Sequence, residues 1–182
     1  MNFCKSCRLR RPQRKVATLQ EILMALGLVL FMHSVQAEGN LAITVTMQIN
    51  APAPLVWSKI RDFNALNTWH PAVANDEIME GENNVVGAVR LLTLGDGGTI
   101  KEKLLAWDDA GMSLTYNILE GVLPVRNYVS TLKVESLPDK NCKVIWAGSF
   151  SAAPGTEDRK ASGIISSFYD EGLVNLKKIN TP

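Results

Sequence analysis

Lysines at 101 and 103 must reach water, so the two-residue repeat of a strand over residues 99–107 turns Ile100, Glu102, Leu104 and Ala106 to the opposite face. Glu102 is therefore a carboxylate among aliphatic side chains, and a buried charge requires a partner. Two arginines can supply it. In residues 125–137, Lys133 and Glu135 point outward and leave Arg126, Tyr128, Ser130, Leu132 and Val134 facing in. Arg90 depends on the turn Gly95-Asp96-Gly97-Gly98. A two-residue loop at Gly97-Gly98 pairs Glu102 with Thr93, whereas a one-residue change of register pairs it with Leu92 or Leu94 and brings Arg90 to Glu102's face. The same parity turns Leu114, Tyr116 and Ile118 inward, and likewise Val144, Trp146, Gly148 and Phe150. His70, fixed ahead of Pro71, stands at the mouth of the resulting pocket, and Phe168 borders it from the last helix. Glu102, Tyr116 and His70 are the acid–base set that cyclisation or dehydration of a small substrate would use. The plainer reading makes Glu102 with its arginine a structural or ligand-orienting ion pair and His70 a hydrogen-bonded loop residue. Tyr116 and Tyr128 are then packed rings with satisfied hydroxyls.

Other chemistries are excluded by count. His33 falls in the N-terminal segment described next, so His70 is the single histidine of the remaining chain and a multi-histidine metal site cannot form. The turn at residues 95–98 precedes no helix and contains no Gly-Lys-Ser, so it reads as a hairpin and not as a phosphate loop. No cofactor fingerprint is present.

Residues 1–37 have the pattern of a secretory signal peptide. Six basic residues without an acid precede an apolar run at 22–32 and the small residues of Val35-Gln36-Ala37. Eleven apolar residues fall short of the roughly 20 that span a bilayer, so no stable membrane anchor is expected. Cleavage after Ala37 places the protein in the periplasm with Glu38 at its N-terminus. It also leaves 145 residues, with 13 Lys+Arg against 17 Asp+Glu and a net charge of −4. That length makes one domain, residues 38–182, and such a surface is a poor partner for nucleic acid. Cys4 and Cys7 leave with the leader, so their spacing is neither a zinc half-site nor a redox motif. Cys142 remains alone and reads as a half-buried thiol.

The elements that position these residues follow from periodicity. Ile43, Val45, Met47 and Ile49 alternate with Thr44, Thr46 and Gln48 in a half-buried strand over residues 41–49. Pro54, Val56, Trp57 and Ile60 mark a short helix. Asp62 or Asn64 can cap a second helical turn that Pro71 stops at Trp69. Six strands on short loops then run through residues 73–80, 87–94, 99–108, 113–120, 125–137 and 143–152, the spacing of an antiparallel meander. Thr156 opens a long helix whose apolar stripe is Ala161, Ile164, Ile165, Phe168, Gly172, Leu173, Leu176 and Ile179. Gly172 costs such a helix about 1 kcal/mol relative to alanine, which a close approach to the sheet would repay. The sum is an α+β helix-grip fold, about seven curved antiparallel strands on a long C-terminal helix. The gap between sheet and helix is its natural pocket.

Element order, together with Ala51-Pro52, Val56-Trp57, Asp62-Phe63, Trp69-His70-Pro71, Gly87-Ala88-Val89-Arg90, Glu102-Lys103-Leu104-Leu105, Leu123-Pro124-Val125, Asn127-Tyr128 and Trp146-x-Gly148-x-Phe150, resembles the SRPBCC superfamily of START, Bet v 1 and polyketide cyclase-like proteins. Within it the chain is similar to the exported MxaD-like proteins associated with periplasmic methanol oxidation. The resemblance implies a small hydrophobic ligand or a partner in the methanol dehydrogenase and cytochrome c system. The superfamily also implies the alternative, a cyclase or dehydrase. The Trp69-His70-Pro71 segment is then a rim suited to docking, and the acidic surface suits a basic partner.

Overall fold

A computed structural model describes residues 40–180. The expected leader and its cleavage site lie outside the described residues. Strand β1 (Leu41–Ile49) leads into helix α1 (Ala53–Ile60) and a 3-10 turn (Leu66–Thr68). There follow β2 (Val73–Glu80), β3 (Val89–Leu94), β4 (Thr99–Asp108), β5 (Ser113–Gly121), β6 (Val125–Ser136), β7 (Cys142–Ala152) and helix α2 (Asp158–Asn180). All seven strands form one antiparallel sheet in the order β1-β7-β6-β5-β4-β3-β2, so the meander holds and the first strand closes onto the last.

The short helix is set by its prolines. Pro52 occupies the N-cap with its carbonyl accepting from the amides of Leu55 and Val56, and Pro54 lies in the first turn, where a missing N–H costs nothing. Its face of Ala53, Val56, Trp57 and Ile60 is buried. The second helical piece is a 3-10 turn without a side-chain cap. Asp62 instead accepts the Asn64 amide at 2.9 Å and shapes the approach to that turn. Trp69 ends it as expected.

Register decides the interior. The β3–β4 connection is a turn in which Gly97 N–H bonds to Leu94 at 2.9 Å and Leu94 N–H to Gly98 at 2.8 Å, with Gly97 at φ +86°. This three-residue loop with a left-handed glycine pairs Thr93 with Thr99, and hence Arg90 directly with Glu102. Both sequence registers are thus displaced, but the face is the one that brings Arg90 to Glu102. Two bulges redirect other side chains. Between Leu104 and Ala106 the β4 register shifts, so Ala106 is exposed where alternation predicts it inside, and Trp107 is half-buried. A shift between Arg126 and Val129, with Asn127 at φ +53°, turns Arg126 into solvent.

Helix α2 buries Ala161, Ile165, Tyr169, Gly172, Leu173 and Leu176. Ile164 and Phe168 are half-buried and Ile179 is exposed, so the stripe is rotated slightly from the expected one and takes in Tyr169. Gly172 does allow close approach: a Cβ there would stand 2.5 Å from His70 Cδ2 and 2.9 Å from Trp146 Cζ3. Cys142 is fully buried, deeper than the half-burial its sequence context predicts, and burial pushes its thiol up. Among the described residues no helix is long and apolar enough to cross a membrane.

Gly172→Ala should therefore destabilise by about 1–3 kcal/mol through overpacking, in spite of its better helix propensity. Gly163→Ala in the same helix meets nothing within 4 Å and should be neutral or stabilising by up to about 1 kcal/mol. Urea unfolding of the two variants checks the contrast.

Candidate functional site: a buried ion cluster and an aromatic interior

The structure brings Glu102 and Arg90 together and keeps Arg126 away. Arg90 Nε and Nη2 both donate to Glu102 Oε2, at 2.8 and 2.7 Å. Both residues are nearly inaccessible, at 3% and 4% exposure. Arg90 Nη1 donates to the Phe63 carbonyl and, at 3.2 Å, to Asp76 Oδ2. The guanidinium also lies 4.2 Å from the Phe63 ring centre and 5.4 Å from that of Tyr116. These ring faces attract a cation and shield it from water. Asp76, which the sequence reading did not single out, is thus the third member of the cluster. The signal was hidden because a register shift between Val73 and Asn75 puts Val73 and Asp76, three apart, on one face. Burial pushes the Glu102 carboxyl up from the ordinary carboxylate range, and Arg90 pulls it back only in part.

Beyond Tyr116 runs a chain of hydroxyls. Trp146 Nε1 donates to Tyr116 Oη at 2.9 Å and to Ser130 Oγ at 3.1 Å. Tyr169 donates to Ser130 at 2.9 Å, Ser130 donates to the Ala147 carbonyl at 3.0 Å, and Tyr128 and Tyr169 share a hydrogen bond of 2.5 Å. Trp146 stacks on Tyr169 with centroids 4.5 Å apart. Gly148 makes room for the Tyr169 hydroxyl, which would collide with any Cβ there. Burial pushes all three phenols well above their ordinary range, so they act here as hydrogen-bonding groups and not as bases near neutral pH. Tyr169 sits four residues after Ile165 and before Leu173, a spacing by which the sequence could have revealed it.

His70 is not at a mouth. It is 1% exposed, stacked on Phe168 at 4.0 Å and edge-on to Trp146 at 5.8 Å. Nε2–H donates to the Phe168 carbonyl at 2.8 Å, and Nδ1 accepts from the Ala72 amide at 3.2 Å, which fixes a neutral tautomer. Burial lowers its pKa to about 4, against an upward pull from the Phe168 carbonyl. Trp69 is likewise 3% exposed, so the Trp69-His70-Pro71 segment contributes two core residues and is not a docking rim.

Little space is left. The cavity bordered by Arg90, Tyr116, Trp69, Trp146, Leu66 and Ile60 measures about 10 Å³, enough for about one water. Small-molecule pockets run to about 300–1,000 Å³. The space lies against the 3-10 turn, while beneath α2 the buried Tyr169 packs on Trp146 and bonds to Ser130. Two larger hollows among the described residues, about 420 and 330 Å³, are surface grooves beside Phe168 on α2 and beside Trp57 of α1 and Arg61 just after it. Among the described residues no group of three His, Cys, Asp or Glu is placed to hold a metal.

Seven antiparallel strands gripping a long C-terminal helix around a buried polar interior define an SRPBCC protein of the START and Bet v 1 kind, a ligand-binding fold. The family model described as "Polyketide cyclase / dehydrase and lipid transport" matches residues 40–179, and the chain belongs to that family. It is similar to the solved structure of the protein XoxI from Bacillus cereus, with a TM-score of 0.71 and 31% identity over 76% of this chain and 94% of that one. It is also similar to MLP-like protein 423 of Arabidopsis thaliana, 27% identical over 117 residues, 58% of this chain and 73% of that protein. To the abscisic acid receptor PYL2 of the same plant it is 31% identical over 93 residues, half of this chain and 48% of the receptor.

The His70 environment sets a pH dependence. A native imidazole held near 4 is neutral while the unfolded one, near 6.5, is charged, so its contribution to stability is whole above pH 6.5 and is lost as pH falls toward 4. That loss is about 3 kcal/mol. Wild type should lose that much relative to His70→Asn between pH 7 and pH 4 in urea unfolding. An unchanged difference would mean that the ring is not held neutral.

Proposed function

We propose that this protein is an exported accessory protein of periplasmic methanol oxidation, which binds and assists the methanol dehydrogenase and cytochrome c system without turning over a substrate. One observation carries the reading most: the acid–base groups of the interior are spent on the protein itself. Glu102 is held by Arg90, His70 by Phe168 and Ala72, and Tyr116 by Trp146, beside a cavity of about 10 Å³. General acid–base catalysis needs such groups within hydrogen-bond reach of a substrate. The likeness to XoxI and the resemblance to the MxaD-like group supply the context, and the leader pattern supplies the compartment. An acidic surface of net charge −4 after removal of residues 1–37 suits a basic protein partner. A small apolar ligand is the other partner this fold admits, and it would enter by moving the rings around Trp146.

The cyclase or dehydrase alternative is favoured by the family's description. It requires Glu102, Tyr116 and His70 to converge on a substrate after the interior opens. Deletion in the native host should lower respiration on methanol while leaving the dehydrogenase's activity with an artificial acceptor largely intact. Conversion of a polyketide-like substrate by the purified protein would reverse the assignment, if Glu102→Gln, Tyr116→Phe and His70→Asn together cost at least about a hundredfold.

A further inference from the structure

Two carboxylates share one guanidinium inside the sheet, and the division is unequal. Glu102 takes two N–H groups of Arg90, at 2.7 and 2.8 Å, the geometry of an ionised partner. Asp76 takes a single one at 3.2 Å, on Oδ2, which also accepts the Leu66 amide at 2.9 Å. The Asp76 side chain has no exposed surface, and its Oδ1 has no hydrogen-bond partner among the described residues. With both acids ionised the cluster would hold one uncompensated negative charge out of water, which is strongly penalised. Asp62, on the loop leading to the 3-10 turn, adds like-charge repulsion. Arginine cannot relieve the cluster by losing its proton.

We propose that Asp76 keeps its proton, on Oδ1, at neutral pH, so that Asp76, Arg90 and Glu102 form one electrically neutral proton-holding unit in the interior. The groups facing Asp76 are Arg90 of β3, Glu102 of β4, Asp62 and the Leu66 amide. Burial is the leading cause that raises its carboxyl, with Arg90 opposing and Asp62 reinforcing. Glu102 and Asp76 are coupled through Arg90, so the pair gives up its protons in two steps, and the second belongs chiefly to Asp76. The interior is then neutral, with the Arg90 guanidinium held by Glu102, Asp76 and the Phe63 carbonyl, and among the described residues it offers no uncompensated cation to an anionic ligand.

Carbon-13 NMR of the wild-type protein, labelled at the aspartate side-chain carboxyls, tests this directly. One aspartate carboxyl should remain at the protonated position at pH 7, and it should vanish in Asp76→Asn. If every aspartate is at the carboxylate position at pH 7, the proposal fails, whether or not the variant folds. Stability gives a second readout. A raised native value contributes stability that is whole below the unfolded aspartate value of about 3.9 and is lost as pH rises toward the native one. The unfolding constant of wild type relative to Asp76→Asn should therefore rise about tenfold per pH unit between about pH 4 and pH 7. His70 contributes equally to both proteins and cancels. A ratio independent of pH over that range would overturn the proposal.

Discussion

Arg90 cannot be deprotonated and cannot reach water, and much of the surrounding architecture follows from that constraint. Its five N–H donors need acceptors that are themselves buried. Glu102 arrives from β4, Asp76 from β2 and the Phe63 carbonyl from the loop after α1, so one side chain ties three strands and the helical segment together. The Phe63 and Tyr116 rings complete the enclosure. Replacing such a cluster with apolar groups is often tolerated, whereas removing one member strands the others. The cluster therefore acts as a register device: a slip of one residue between β3 and β4 would turn either Arg90 or Glu102 to the wrong face.

The second organising feature is how the interior is filled. Glycines at 148 and 172 let Tyr169 and His70 press into positions that any side chain at those sites would block. Tyr169 then stacks on Trp146, and His70 bonds to the backbone of α2 at Phe168. Among the described residues, the cavity beside Arg90, Tyr116 and Trp146 is left about one water in size. Binding at the surface is consistent with that filling, and binding inside requires at least one of these rings to move.

Strand placement was legible because alternation and Gly/Pro punctuation are strong here. The expected bounds of β1, β2 and β4 coincide with those observed. The burial of Glu102 was readable from the lysines on either side of it. What the sequence concealed is local irregularity. Arg126 was misplaced by the bulge before Val129, Ala106 by the bulge after Leu104, and Asp76 was overlooked because of the shift after Val73. A bulge inserts one residue and inverts parity, and its sequence signal is weak. His70 was drawn toward solvent by its proline, since the space that receives it depends on Gly172, a hundred residues later and on another element.

An interior built around an obligatory buried cation should respond very differently to Arg90→Leu and to Glu102→Gln in denaturant unfolding. Arg90→Leu leaves the Glu102 carboxylate buried without its counter-charge and should cost roughly 3–5 kcal/mol. Glu102→Gln keeps the shape, and Arg90 retains Asp76 and the Phe63 carbonyl, so its cost should be clearly smaller. Equal costs, or an Arg90→Leu protein as stable as wild type, would contradict the account.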